Sequence, residues 1–334
     1  MLYPKIYIGP MSVNVVDSVI QYSVENNIPI GLLPSRRQIE YDGGYVNNWK
    51  TIDFIEYVKS KNSNVTLQRD HAGPAQGADF DDGTKSLMVD AASGFQLLHI
   101  DPWKHHQNLE DGIRETSKLI TMCNVVNPNC FYEIGTEQAI REYSVEELEQ
   151  IILQTKESIG NILFNKVKYA VIQGGTRIEG TRNVGMFDEQ RCKKMIEVCR
   201  RHGLLSKEHN GDYLSPNEIK MRFDMGLSAL NIAPEFGVIE TQCILEEILS
   251  HFDTESLEQL YQMCYQSAKW IKWLPSNIEN STIELKKHVI IRTCGHYVFA
   301  YDDFKLLKSK FLNIDDKIQR RIKQRLQEII CATK

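Results

Sequence analysis

The feature that most restricts what this chain can become is an alternation. Short apolar runs rich in β-branched residues are each followed by a segment of helical periodicity, and the pair recurs eight times before residue 253. The first unit joins a strand at 6–8, closed by Gly9-Pro10, to a helix at 14–25. Strands at 28–33, from Val65 to His71, 95–100, 130–134, 167–172, 204–207 and 227–232 open the other seven. Their helices are expected at 51–59, 84–92, 109–125, 144–159, 188–202, 215–225 and 238–252. Ser144-Val-Glu-Glu147 and Ser215-Pro216-Asn-Glu218 are capping boxes that mark two of the starts. Eight such units in roughly 250 residues are what a (β/α)8 TIM barrel requires. A doubly wound sheet is the alternative, but it carries a GxGxxG turn that is not found.

The sequence therefore predicts an α/β chain in two parts: a (β/α)8 barrel over 1–253 and an all-helical C-terminal extension over 254–334. The extension is expected as helices at 257–273, 285–291, 303–311 and 315–330, with a turn at Pro275. It should pack on the barrel or at a subunit contact. Its last helix, with Lys317 to Arg325, reads as a solvated basic face.

With 44 acids against 39 bases the chain lacks the basic surplus of a protein that tracks phosphates, so nucleic acid is not an expected partner. The 8 cysteines are scattered without CxxC pairs and read as reduced thiols. The N-terminus resembles a first strand, not a signal peptide, and no apolar run has the length of a membrane span. A cytoplasmic location follows as the expectation.

All strand ends of a barrel open on one face, so polar residues there converge although they are distant in sequence. Here they are Arg36 and Arg37, Asp70 and His71, His99 and Asp101, Glu133 and Glu137, Gln173, His209, and Asn231. Two or three imidazoles and a carboxylate with one open position suit a catalytic zinc. In Asp70-His71 the imidazole can hold a metal while the carboxylate moves a proton. Arg36, Arg37, Arg177 and Arg182 are candidates for gripping a phosphate or carboxylate on the substrate.

The residues Gly43-Gly44-Tyr45, Asp70-His71-Ala72-Gly73-Pro74, His99-Ile100-Asp101, Ile134-Gly135-Thr136-Glu137, Gln173, His209-Asn210-Gly211-Asp212-Tyr213 and Ser215-Pro216 carry a resemblance. In that order and spacing, over residues 1 to 245, the chain resembles the larger, non-catalytic type of tagatose-bisphosphate aldolase subunit. That family is related to the class II metal-dependent fructose-bisphosphate aldolases. The resemblance implies a divalent metal cofactor, zinc first, held by His71, Glu137 and His209, with Asp70 as the acid/base. Glu133, on the same face of its strand, is the alternative to Glu137. His99 and Asp101 are expected beside Asp70 at the catalytic centre, holding a ligand imidazole in one tautomer. Burial is expected to lift the Asp70 carboxyl from about 4 towards 6 or 7. Arg36, Gln173, Gly174, Arg177, Asp212 and Asn231 are the candidates for contacting substrate.

Gln173 stands where the bacterial fructose-bisphosphate enzymes place a further zinc histidine, and the phosphate-binding runs of those enzymes are replaced by His209-Asn-Gly-Asp212 and Asn231-Ile-Ala-Pro234. The implied activity is aldol cleavage of a ketose or ketose phosphate through an enediolate, in carbohydrate metabolism. The alternatives are C4 epimerisation by the same chemistry, or a non-catalytic subunit stabilising a separate class II aldolase. The expected partners are a small sugar or sugar phosphate and a second copy or catalytic subunit, with no membrane.

Overall fold

The apolar runs become strands because both faces of each are covered, by side chains within the barrel and by helices outside it. The computed structural model describes residues 3–61, 65–273 and 282–334; the turn expected at Pro275 lies outside the described residues. In chain order the units are β1 (Ile6–Ile8), α1 (Val13–Asn26), β2 (Gly31–Leu32), α2 (Thr51–Ser60), β3 (Thr66–Ala72), α3 (Thr84–Ser93), β4 (Leu97–Ile100) and α4 (Leu109–Val126). They continue as β5 (Phe131–Ile134), α5 (Val145–Phe164), β6 (Val167–Ile172), a hairpin of β7 (Ile178–Glu179) and β8 (Arg182–Asn183), and α6 (Glu189–Arg201). Then come β9 (Leu205–Glu208), α7 (Pro216–Asp224), β10 (Ala229–Ile232) and α8 (Pro234–Ser250). Eight of these strands form a closed parallel barrel in the order β1-β10-β9-β6-β5-β4-β3-β2. Closure leaves no strand edge unpaired.

Tyr7, Leu33, Leu97, Tyr169 and Ala229 fill the barrel interior as an apolar layer of their own. Gly31 is required by that layer, since a Cβ there would lie 2.0 Å from the Tyr7 ring. Above it a charged floor is buried: Lys207 Nζ lies 3.4 Å from the Tyr7 ring centroid, donates to Glu133 Oε2 at 2.8 Å, and donates to Gln68. Outside, Arg69 of β3 ties three elements together. Its guanidinium is bidentate to Asp90 of α3, both bonds at 2.7 Å, and donates to Pro34 O, Ile39 O and Thr51 Oγ1.

Both capping boxes form as read, at Ser144 and Ser215. Other boundaries moved. β2 has 2 residues where a longer strand was expected, and the β7–β8 hairpin was not foreseen. α8 starts at Pro234, ahead of the expected 238, because Asp212 Oδ1 accepts from Ala233 N and Glu235 N at 3.0 and 2.8 Å and caps it.

In the C-terminal part, the helix expected at 257–273 divides into α9 (Thr254–Gln266) and a 3-10 turn, Lys269–Trp273. α10 (Ile283–Cys294), α11 (Asp302–Ser309) and α12 (Ile314–Ala332) follow. α12 buries Ile318, Ile322, Leu326 and Ile329. Its basic residues are not a solvated face: Lys317, Arg321 and Arg325 reach Glu247, Glu246 and Glu235 at 2.7, 2.8 and 2.6 Å. All three acids belong to α8, so the face reads as a seam between the two helices. Among the described residues no helix is long and apolar enough to cross a membrane.

Candidate metal centre

Consecutive strand residues point to opposite faces, so Asp70 and His71 should not both reach the barrel mouth. They do because β3 slips register against β4 between Arg69 and Ala72, and His71 takes a positive φ of 45°. A bulge of this kind re-aims a side chain, and the left-handed backbone of a non-glycine residue is a strain kept where the surroundings impose it. The His71 N–H, turned inward, donates to His99 Nδ1 at 3.2 Å.

Three imidazoles meet there. The ring centroids of His71, His99 and His209 lie 5.0, 5.2 and 4.9 Å apart, and one donor atom from each, with one from Asp70, lies within 4.8 Å of the others. Every ring has its outer nitrogen fixed. His71 Nδ1 donates to Asp101 Oδ2 at 2.6 Å, His99 Nε2 to Gly135 O at 2.9 Å, and His209 Nε2 to Glu133 Oε1 at 2.7 Å. The inner nitrogens face Asp70: His99 Nδ1 at 3.3 Å, His71 Nε2 at 3.7 Å and His209 Nδ1 at 4.0 Å. His71 Nε2 also faces Glu137 Oε2 at 3.6 Å, and that oxygen accepts from Asn210 Nδ2 at 2.7 Å.

Imidazoles locked in one tautomer by a carboxylate or carbonyl, with the other nitrogen open, are how metal-binding histidines are oriented. For His71 and His209 the inner nitrogens stand beyond hydrogen-bond length from any carboxylate given above. Ring nitrogens that give up a proton on binding, with one or two carboxylates, form a donor set that fits a divalent cation of the zinc type.

Burial alone would raise the Asp70 carboxyl. The surrounding His71, His99 and His209 outweigh it and hold the group far below the usual carboxylate range, so the expected upward shift is reversed. Burial likewise opposes charge on His71, but Asp70, Asp101 and Glu137 raise its pKa well above the ordinary imidazole value. Burial is the largest single influence on Glu137 and raises it, but His71 and His209 together outweigh it and bring the group down to about 2. Beneath them Glu133 is kept ionised by Lys207, His99 and His209 despite complete burial.

The other candidates separate by how far their hydrogen bonds are already used. Glu133 is not a second Glu137: its oxygens serve His209, Lys207 and Gln68. Asp101 stands behind His71, held by Thr136 Oγ1 and Trp103 N, so it orients the ring without reaching the mouth. Gln173 has its whole amide engaged, by Thr136 O, Arg141 O, Tyr143 N and Arg191 Nη2, and ties loops together. The Gly174 N–H is taken by Glu208 at 3.1 Å. Arg36 is bound to Glu40, Asp81 and Gly73 O, and Asp212 caps α8. These bonds hold all four within the loops around the mouth. Arg177 is exposed beside the hairpin. Asn231, paired in register with the inward Tyr7 and 4% exposed, has no partner for either amide atom.

The hairpin has a purpose that sequence reading missed. Asn183 of β8 donates to Asn210 O and Asp212 O at 2.9 and 3.0 Å, bracing the turn that follows His209. The turn glycine at 180 was the available signal.

No family model matches the sequence. Among solved structures, a probable tagatose 6-phosphate kinase from Sinorhizobium meliloti 1021 superposes with a TM-score of 0.78 at 17% identity, over 98% of this chain and 100% of that one. A fructose-bisphosphate aldolase from Campylobacter jejuni gives 0.61 at 13% identity, over 99% and 91%. The YdjI aldolase from Escherichia coli K12 gives 0.55 at 12%, over 92% and 90%. At such identities the shared property is the fold. The chain is a (β/α)8 barrel of the same fold as these aldolases and as the protein named for tagatose phosphate.

Proposed function

We propose that the chain is a metal-dependent carbon-carbon lyase that cleaves a ketose or ketose phosphate by a retro-aldol reaction. The observation that carries this is the pair of open ring nitrogens, His71 Nε2 and His209 Nδ1, facing an ionised Asp70 between locked outer partners. His71, His209 and Glu137 would hold the cation. Once bound, a divalent ion of this kind polarises the ketose carbonyl and offsets the negative charge of the enediolate.

Asp70 is unprotonated and accepts the proton of the hydroxyl on the carbon that becomes the aldehyde. That C–O bond gains its double-bond character as the neighbouring carbon-carbon bond breaks. In condensation the same oxygen of Asp70 returns the proton. His99, anchored on Gly135 O, packs its ring beside Asp70, with Nδ1 3.3 Å from Oδ1, and so limits where the carboxylate can lie. Asn231 offers its amide to sugar hydroxyls from β10, the strand beside β9.

The test is aldol cleavage by the purified chain. Chelation should abolish turnover, and added zinc or cobalt should restore it. A protein that takes up no metal and cleaves no ketose would sink the reading. A second reading, a non-catalytic subunit, is favoured by Gln173, whose amide is used up at the position where the resemblance puts another ligand histidine. It predicts metal uptake without cleavage by the isolated chain.

A further inference from the structure

The turn that leads the chain away from His209 is held in a conformation its own residues do not favour. Asn210 and Tyr213 take left-handed φ values of 56° and 61°, which a tyrosine keeps only where its surroundings impose it. Within the turn Gly211 N donates to Asn231 O at 2.8 Å, and Asp212 Oδ1 caps α8. Asn210 Nδ2 reaches Glu137 Oε2 at 2.7 Å, so the turn bears on His209 and on Glu137 together.

Part of what imposes it comes from the C-terminal extension. Glu235, in the first turn of α8, accepts from Tyr213 N at 2.7 Å through Oε2, and its other oxygen takes Arg325 Nε of α12 at 2.6 Å. The same guanidinium donates through Nη2 to Leu214 O at 2.7 Å. One planar fork therefore grips the turn twice, directly at Leu214 and through Glu235 at Tyr213. The Arg325 and Glu235 side chains are 14% and 9% exposed, against 41% and 37% for Arg321 and Glu246 one turn earlier on α12, so water screens the first pair less.

The guanidinium also supplies the charge that lets Glu235 stay where it is. Asp212 lies against the same first turn of α8, and burial together with the Glu235 charge pushes its carboxyl up to about 8. Arg325 is the ion-pair partner that offsets Glu235. Without it, a poorly hydrated carboxylate beside a second acid gains by swinging towards water, and Tyr213 N loses its acceptor. Once released at Tyr213 and Leu214, the turn is free to leave the left-handed region, and His209 and Asn210 move with it.

We propose that Arg325 is a positioning residue for His209: from the C-terminal extension it fixes the turn at 209–214, and with it the aim of the His209 imidazole and, through Asn210, of the Glu137 carboxylate. The proposal rests on the metal reading above for what those side chains hold. It gives the extension a share in the centre, because the last helix of the chain sets the geometry of a strand end inside the barrel mouth.

Two measurements on the full-length protein test it, each comparing Arg325→Gln with Arg321→Gln, which removes a neighbouring bridge from α12 to α8 but none to the turn. In chelated protein, amide hydrogen exchange at Gly211 and Tyr213 should be about tenfold faster in Arg325→Gln than in Arg321→Gln. Zinc affinity, read by competition with a chelator, should fall about tenfold in Arg325→Gln and stay at the wild-type value in Arg321→Gln. Arg325→Lys, which keeps a charge for Glu235 but not the fork, should lie between them, and it stands in if Arg325→Gln does not fold. Equal exchange at those two amides in both glutamine variants overturns the proposal, and so does faster exchange with wild-type zinc affinity, since the turn then does not position His209. A wild type that takes up no zinc defeats the metal reading alone, and the exchange comparison then decides for Arg325 by itself.

Discussion

Asp70→Asn is expected to lower the rate of ketose cleavage by about 10²–10⁴-fold, the range that a positioned general base contributes. The amide keeps the size of the carboxylate, but it cannot take the hydroxyl proton. Metal uptake should persist, because His71 and His209 keep their outer partners Asp101 and Glu133. The informative comparison is therefore turnover per bound metal. A variant that binds metal and still cleaves at the wild-type rate would remove Asp70 from the chemistry and leave it as an electrostatic neighbour of the three rings.

Arg69→Ala is expected to cost about 3–5 kcal/mol of stability, the effect of removing one partner from a buried ion pair. Both Arg69 and Asp90 are fully buried, and all five N–H groups of the guanidinium are used. Its loss strands the Asp90 carboxylate and two backbone carbonyls. Arg69→Lys should not rescue, since a single ammonium cannot replace a fork that joins β3 to α2, α3 and the loop after β2. The double variant Arg69→Met, Asp90→Leu should recover much of the loss, because neither charge is then stranded. Denaturant unfolding reads this as a shift in midpoint at constant slope. A midpoint unchanged in Arg69→Ala would show that the clamp contributes nothing.

The barrel was legible because its signal repeats: eight alternations constrain the answer even where single boundaries slip, as at β2 and α8. Asp70, His71, His99 and His209 were legible as strand-end residues, since closure of the sheet alone brings such positions together. What could not be read was how each polar group would be used. Gln173, Arg36 and Asp212 sit at strand ends like the imidazoles do, but their hydrogen bonds go to Arg141 and Arg191, to Asp81, and to the amides that open α8. Those partners are distant in sequence, and nothing local announces them.

The sign of the Asp70 shift was missed for the same reason. Burial is a local expectation, whereas three imidazoles around one carboxylate are a product of the assembled mouth. The bulge at His71 depends on pairing between β3 and β4 and leaves no mark in the strand's own residues. Lys272 lay inside a segment read as plain helix, and the packed extension puts it on the same cleft as Arg37.

The central claim is that His71 and His209, from two different strand ends, grip one cation beside Asp70. Crystals grown with zinc and measured on both sides of the zinc absorption edge test it most directly. The account predicts one anomalous peak bonded to His71 Nε2 and His209 Nδ1. Zinc found elsewhere, or no peak between those two rings at saturating metal, would contradict it.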